Sequence, residues 1–245
     1  LWEFFAKPPY PLFFEDIEEL HTLFAFLEQV EVPTPLLHTV GYFKKKDFYT
    51  YRHIITVFGL SALLTKNMIK DKALIEIQSM AAPFHDIGKI NIPMNIIQKK
   101  TPLTEEELNI LKQHTVSGYV LLSYYFKDLN HPAALVARDH HERRDGSGYP
   151  CSISQKNRTI EIIAVCDIFD ALISKRSYRP SPYDQRSAIE ELTRLANNGI
   201  IDIEVVKILI ALVRKDKKHF SLVDVSTQQR GSEPEGNLYG ILSED

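Results

Sequence analysis

The sequence predicts an all-α domain, a bundle of helices closed around a polar centre, with an N-terminal helical appendage. Three observations predict it. Apolar residues recur at helical spacing through most of the chain, strand-like alternation is nearly absent, and the segment from Ile160 to Ile173 is apolar on nearly every side. A helix of that last kind must be central and buried.

Taken in order, Leu1 to Phe14 mixes Trp2, Phe4, Phe5, Tyr10, Phe13 and Phe14 with Pro8, Pro9 and Pro11, which suits a docked extended arm better than a helix. From Glu15, the apolar residues Ile17, Leu20, Phe24 and Leu27 fall on one helical face, and Pro33 with Pro35 ends that pattern. Residues 1–44 therefore read as an appendage, in one reading the end of a regulatory region. Ile54, Ile55, Phe58 and Ala62 form the next stripe, and Leu74, Ile77, Met80 and Phe84 another. Thr104 followed by Glu107 is a capping-box start for a helix carrying Leu108, Leu111 and Val116, and Pro132 suits the first residue of the next helix. After the loop around Pro180 and Pro182, one amphipathic helix carries Ile189, Leu192 and Leu195, and a second carries Val205, Val206, Leu209 and Val213. Beyond Phe220 the chain turns polar, so residues 45–220 form the expected main domain and 221–245 a weakly ordered tail.

At 245 residues, with 44% hydrophobic and 25% charged residues, the chain can bury one substantial core. A net charge of −3 argues against a general nucleic-acid binder, although a small phosphorylated ligand needs only a local basic patch. The two cysteines, Cys151 and Cys166, provide neither a disulfide framework nor a CxxC zinc signature. No apolar run approaches the ~20 residues of a membrane span and no signal peptide is evident, so the expected location is cytoplasmic.

The chemistry lies in histidines set beside carboxylates or beside each other: His85-Asp86, His140-His141-Glu142, and Asp167 with Asp170. An imidazole offers one neutral lone pair and a carboxylate can bridge, so this mixture suits two closely spaced divalent ions. Asp167 and Asp170 stand three apart on the apolar helix and share a face. Burying both uncompensated would cost many kcal/mol, and on their own a buried ion pair and a ligand role stay equally open. Gly88 can relieve backbone strain beside the His85-Asp86 pair, and Lys89 three residues past the aspartate sharpens that pair. A zincin HExxH would need histidine at position 145, where Asp145 stands, so a metalloprotease is excluded. Adjacent His140 and His141 can serve one centre only near a helix end or distortion. Taken singly, His53 and His114 read as satisfied, partly buried histidines.

As a set, His53, His85-Asp86 with Lys89, His114, the run from His140 to Pro150 that reads HHERRDGSGYP, and Asp167 to Leu172 closely resemble the HD-GYP phosphodiesterase family, over about Asp47 to Val213. The resemblance implies a helical HD-domain bundle with a central metal site that hydrolyses a cyclic dinucleotide, cyclic di-GMP to linear pGpG. It implies two divalent ions, iron or manganese, with a bridging water or hydroxide attacking phosphorus in line. His53, His85, Asp86 and Asp167 would hold the first ion, and Asp86, His114, His140 and His141 the second, with Asp86 as the bridge. Lys89 would contact the phosphate or stabilise developing charge, and Asp170 would orient the nucleophile or manage its proton. Tyr149 and Pro150, on a loop made turnable by Gly146 and Gly148, would shape the entrance. Arg176 and Arg179 match positions that contact the dinucleotide, and for each a solvated loop charge is an equally open reading. Two departures stand out. The loop from Ser152 to Asn157 lacks the family's Leu-x-Gly turn, and Tyr49 stands where members with a third metal carry glutamate, which favours a binuclear site. Two alternatives are a catalytically silent module that binds a nucleotide or a signalling protein through the GYP face, and an HD phosphohydrolase acting on mononucleotides. The exposed aromatics would permit self-association without establishing it.

Overall fold

The computed structural model describes residues 10, 25, 32–68, 72–175, 181–214, 219–225, 228–235 and 242–243. Ten α-helices follow one another among them: α1 (Thr34–Lys46), α2 (Phe48–Met68), α3 (Lys72–Ala81), α4 (Met94–Ile97), α5 (Glu105–Lys112), α6 (His114–Phe126), α7 (Pro132–Asp139), α8 (Arg158–Ile173), α9 (Gln185–Asn197) and α10 (Ile203–Val213). Short 3-10 turns at Ala82–Phe84 and Ile87–Asn91 lie between α3 and α4, and a third is at Phe220–Leu222. Among the described residues, strand pairing is confined to two isolated bridges, Leu103 with Leu242 and Arg143 with Ser154. The all-α expectation is met.

Helix α8 is the centre of the bundle, capped by Asn157, whose side chain accepts from Thr159 and Ile160 N–H. Ile162, Ile163, Val165, Phe169 and Leu172 along it are buried, each contributing about 1.5–3 kcal/mol of apolar transfer. It packs on α2, α9 and α10, and those faces supply Val57, Leu60, Leu64, Leu192, Val205, Val206 and Leu209. Asp167 and Asp170 are held inside this apolar sleeve, 8% and 0% exposed. Both need partners there.

Two local features depart from the periodicity. The prolines that close the first predicted helix open another: Pro35 sits in the first turn of α1, where its missing N–H costs nothing, and α1 buries Leu36 and Phe43. The helix begun by the Thr104–Glu107 capping box stops at Lys112 instead of running on through Val116, which is 47% exposed on α6. His114 Nδ1 lies 2.7 Å from the Leu111 carbonyl at this break, and the change of direction turns the ring inward. The arm and helix expected before residue 32 lie outside the described residues except for Tyr10 and Ala25.

Gly88 matters for close approach. A Cβ there would stand 1.9 Å from the His114 carbonyl oxygen and 2.4 Å from Gly118 N, both rigid backbone. The 3-10 turn after Asp86 therefore packs directly on α6, which fixes the distance between Asp86 and His114. Gly88→Ala is expected to cost at least about 1–3 kcal/mol as an overpacked contact, read as a lowered melting temperature, and to weaken metal uptake in the same sample. Unchanged metal uptake would show that this contact does not set the spacing of the centre.

Candidate metal centre

Four histidines reach one buried point from different elements. His53 comes from α2, His85 from the junction of two 3-10 turns, His114 from the start of α6 and His140 from the C-terminal cap of α7. All four are 2% exposed or less. In each, Nδ1 faces an acceptor: Asp170 Oδ2 at 2.6 Å for His53, the Ala82 carbonyl at 2.8 Å for His85, the Leu111 carbonyl at 2.7 Å for His114, and the Val136 and Ala137 carbonyls at 3.1 Å for His140. Carbonyl and carboxylate oxygens only accept, so Nδ1 carries the proton in each; Nε2 of His85, His114 and His140 presents its lone pair inward, while Nε2 of His53 faces the Asp167 carboxylate and would present its lone pair when a metal ion takes the place of its proton. This is the orientation metal-binding imidazoles need.

The inward nitrogens face one another. His53 Nε2 lies 3.3 Å from His85 Nε2, and His114 Nε2 lies 3.5 Å from His140 Nε2. Asp86 joins the two pairs: Oδ2 is 3.6 Å from His53 Nε2 and 3.5 Å from His85 Nε2, while Oδ1 is 3.4 Å from His114 Nε2 and 3.9 Å from His140 Nε2. Asp167 spans the same gap, with Oδ1 3.0 Å from His53 Nε2 and Oδ2 3.9 Å from His141 Nδ1. These spacings are those of neighbouring donors in shells with bonds of about 2.0–2.2 Å. Two sets able to hold a metal ion result, His53-His85-Asp86 and His114-His140-His141.

The donor set fits a cation on its own chemistry. Burial pushes the His114 pKa down to about 4 and, with the charges of His85 and His114, that of His140 to about 3, while His85 and His141 are lowered by burial as well. These four imidazoles are neutral at neutral pH. Burial works to raise Asp86, but Lys89 and the surrounding histidines outweigh it and hold the carboxyl well below its usual range. Burial likewise opposes ionisation of Asp167 and is overcome by the hydrogen bond and charge of His53. Neutral lone pairs and anionic oxygens thus converge, and Asp86 Oδ1 is buried with no hydrogen-bond partner among the described residues. A metal ion fits such an arrangement.

All seven sequence-identified donors, His53, His85, Asp86, His114, His140, His141 and Asp167, come together, and Asp167 faces both sets where the resemblance placed it in the first alone. The helix-end requirement for His140 and His141 is met, since α7 stops at Asp139. Lys89 Nζ lies 2.6 Å from Asp86 Oδ2. Asp170, which the resemblance assigns to orienting the nucleophile or managing its proton, has its carboxylate behind His53, with Oδ2 on Nδ1 and Oδ1 accepting from Tyr10 and, at 2.9 Å, from Ser174 Oγ. Arg176 and Arg179 lie outside the described residues.

The loop after His141 is tied down from beneath. Glu142 is 2% exposed and accepts from Cys151 N–H at 2.6 Å and Ile153 N–H at 3.1 Å, a structural role that the motif alone does not disclose. At Gly148 a Cβ would stand 2.3 Å from the His141 carbonyl oxygen, so this glycine serves close backbone packing and not turning. The loop thereby lays Tyr149 on His141, ring centroids 4.6 Å apart, with Lys112 Nζ 5.4 Å from the Tyr149 ring centre. Tyr149 and Pro150 are half-buried at the edge of the centre.

With the site in view, comparison with known proteins places the chain. The profile of the HD domain family matches residues 33–205, which include every donor named above. The chain belongs to the HD domain family. The HD-GYP assignment within it agrees with a "Cyclic di-GMP phosphodiesterase" of Thermotoga maritima, 38% identical over 69% of this chain and 46% of that protein. A "3'3'-cGAMP-specific phosphodiesterase 2" of Vibrio cholerae is 39% identical over 46% of this chain and 22% of its own. The chain thus spans less than half the length of these relatives. Among solved structures, the HD domain of the Listeria monocytogenes phosphodiesterase PgpH, in complex with cyclic di-AMP, superposes with a TM-score of 0.54 at 21% identity, covering 73% of this chain and 93% of that one. The HD fold is common to both. Among the described residues no helix is long and apolar enough to cross a membrane.

Proposed function

We propose that this chain is a phosphodiesterase that hydrolyses a cyclic dinucleotide, cyclic di-GMP to linear pGpG, at a binuclear centre of iron or manganese. The observation that carries the proposal is the pair of donor sets spanned by Asp86, with one oxygen toward His53 and His85 and the other toward His114 and His140. His53, His85, Asp86 and Asp167 would hold one ion and His114, His140, His141 and Asp86 the other. Bound there, the ions would supply an activated water and neutralise the phosphate. The residues do the rest. Water adds to phosphorus, the P–O3' bond breaks, and the leaving oxygen takes a proton, so one ring opening yields a linear product.

Lys89 would turn from Asp86 to the phosphate once Asp86 is neutralised, placing an ammonium where negative charge grows. Tyr149 and Pro150 would bound the entrance, with Lys112 adding a cation beside Tyr149. Arg176 and Arg179 remain proposed dinucleotide contacts. Tyr49, one turn before His53 and 46% exposed, provides no carboxylate, which supports two ions over three. The relatives bearing cyclic di-GMP and cGAMP names support the substrate class and leave the two purine choices as the comparison to make.

The test is turnover by the manganese-loaded chain of cyclic di-GMP, 3'3'-cGAMP and mononucleotides, with products separated by chromatography. Conversion of cyclic di-GMP to pGpG is expected. Release of phosphate from mononucleotides alone would overturn the substrate class, and tight metal with no turnover of any of them would indicate a silent binding module.

A further inference from the structure

Tyr10 is the one residue of the first 24 that the structure describes, and it is buried, 3% exposed, in the heart of the domain. Its hydroxyl donates to Asp170 Oδ1 and lies 3.1 Å from Ser174 Oγ. Ser174 in turn donates to the same Asp170 oxygen at 2.9 Å, while the other oxygen of Asp170 holds His53 Nδ1 at 2.6 Å. Tyr10 precedes the family-matched residues 33–205 altogether. A residue ahead of the domain thus reaches a metal-facing histidine through a single carboxylate.

We propose that Tyr10 is a positioning residue for the centre: by fixing Asp170 it orients His53, so that the affinity of the His53 half for metal depends on the Tyr10 hydroxyl. The inference rests on the metal reading given above. Its physical basis is that an imidazole's basicity and ring angle follow the partner on its far nitrogen, and loss of such outer partners typically costs about 10–100-fold in metal affinity or activity. Asp170 can turn about its terminal bond, and the two donors on Oδ1 set the plane in which Oδ2 meets His53. Burial, and then the Asp170 charge, raise the Tyr10 pKa well above its ordinary value, so the hydroxyl remains a donor throughout the working range.

Titration of the full chain with manganese(II) by calorimetry tests this, using Tyr10→Phe, Asp170→Asn and the double variant. Phenylalanine keeps the buried ring, and circular dichroism confirms the fold of each sample. Tyr10→Phe is expected to weaken one of two binding events about tenfold and leave the other unchanged. In the Asp170→Asn background the same change is expected to add nothing, because the path to His53 is already cut. Wild-type affinity in Tyr10→Phe, equal weakening of both events, or an undiminished effect in the Asp170→Asn background would each overturn the proposal. A wild-type chain that took up no manganese would overturn the metal reading and this inference with it, whereas two bound ions without cyclic dinucleotide turnover would overturn only the substrate assignment.

Discussion

Asp86→Ala is expected to empty both halves of the centre together and to lower cyclic di-GMP hydrolysis by about a thousandfold or more, ~4 kcal/mol of transition-state stabilisation. The magnitude follows from position. Asp86 is the carboxylate that faces His53 and His85 through one oxygen and His114 and His140 through the other, all within 3.9 Å. Alanine removes an anionic donor from each set and the negative charge that balances both cations. His114→Ala removes one neutral donor from one set and is expected to weaken that ion alone, by about 10–100-fold. Fold is checked in the same samples by circular dichroism, because Lys89 and the histidines outweigh the burial penalty of Asp86, so its loss also removes a stabilising partner from the buried cluster. Metal content by elemental analysis, read beside turnover for the two variants, checks the expectation. An Asp86→Ala protein that stayed folded, kept two ions per chain and hydrolysed substrate normally would remove the bridging role.

Much of this was legible in the sequence because helical stripes and donor identity are local properties. The buried α8 could be read from Ile160 to Ile173, and the pairing of histidines with carboxylates named His85, Asp86, His140, His141 and Asp167, whereas His53 and His114, with no such neighbour in sequence, came only with the family resemblance. What could not be read was direction. Asp167 and Asp170 share a face, yet three residues advance about 4.5 Å along a helix and leave the side chains some 60° apart. That offset sends Asp167 between the donor sets and Asp170 behind His53. Gly88 showed as a glycine, but its reason is the backbone of α6, some thirty residues on. Tyr10 carried no periodic signal at all. Hydrogen bonds from one tyrosine to residues some 160 positions on have no local pattern to betray them, and the break at Gln113 separates two segments that both look helical.

Lys89→Ala is expected to retain both ions and lose about 10²–10³-fold in turnover, the scale of removing one preorganised donor of charge stabilisation. The geometry gives this variant a second signature. Lys89 Nζ is 2.6 Å from Asp86 Oδ2 and heads the influences that keep the buried carboxyl ionised. Removing the lysine leaves a buried anion without its counter-charge, which is costly. The metal-free variant should therefore melt below the metal-free wild type. Metal neutralises the same oxygen, so the loaded variant and loaded wild type should melt together, and manganese should raise the melting temperature of Lys89→Ala by more than that of the wild type. Mass action adds in the same direction, because metal that no longer competes with the ammonium binds at least as well. Calorimetric melting with and without chelator, set beside kcat, separates the two contributions. A Lys89→Ala protein that could not be loaded with metal would place the lysine in assembly of the centre instead of in turnover, and a loaded variant with wild-type kcat would show that the ammonium never leaves Asp86 for the phosphate.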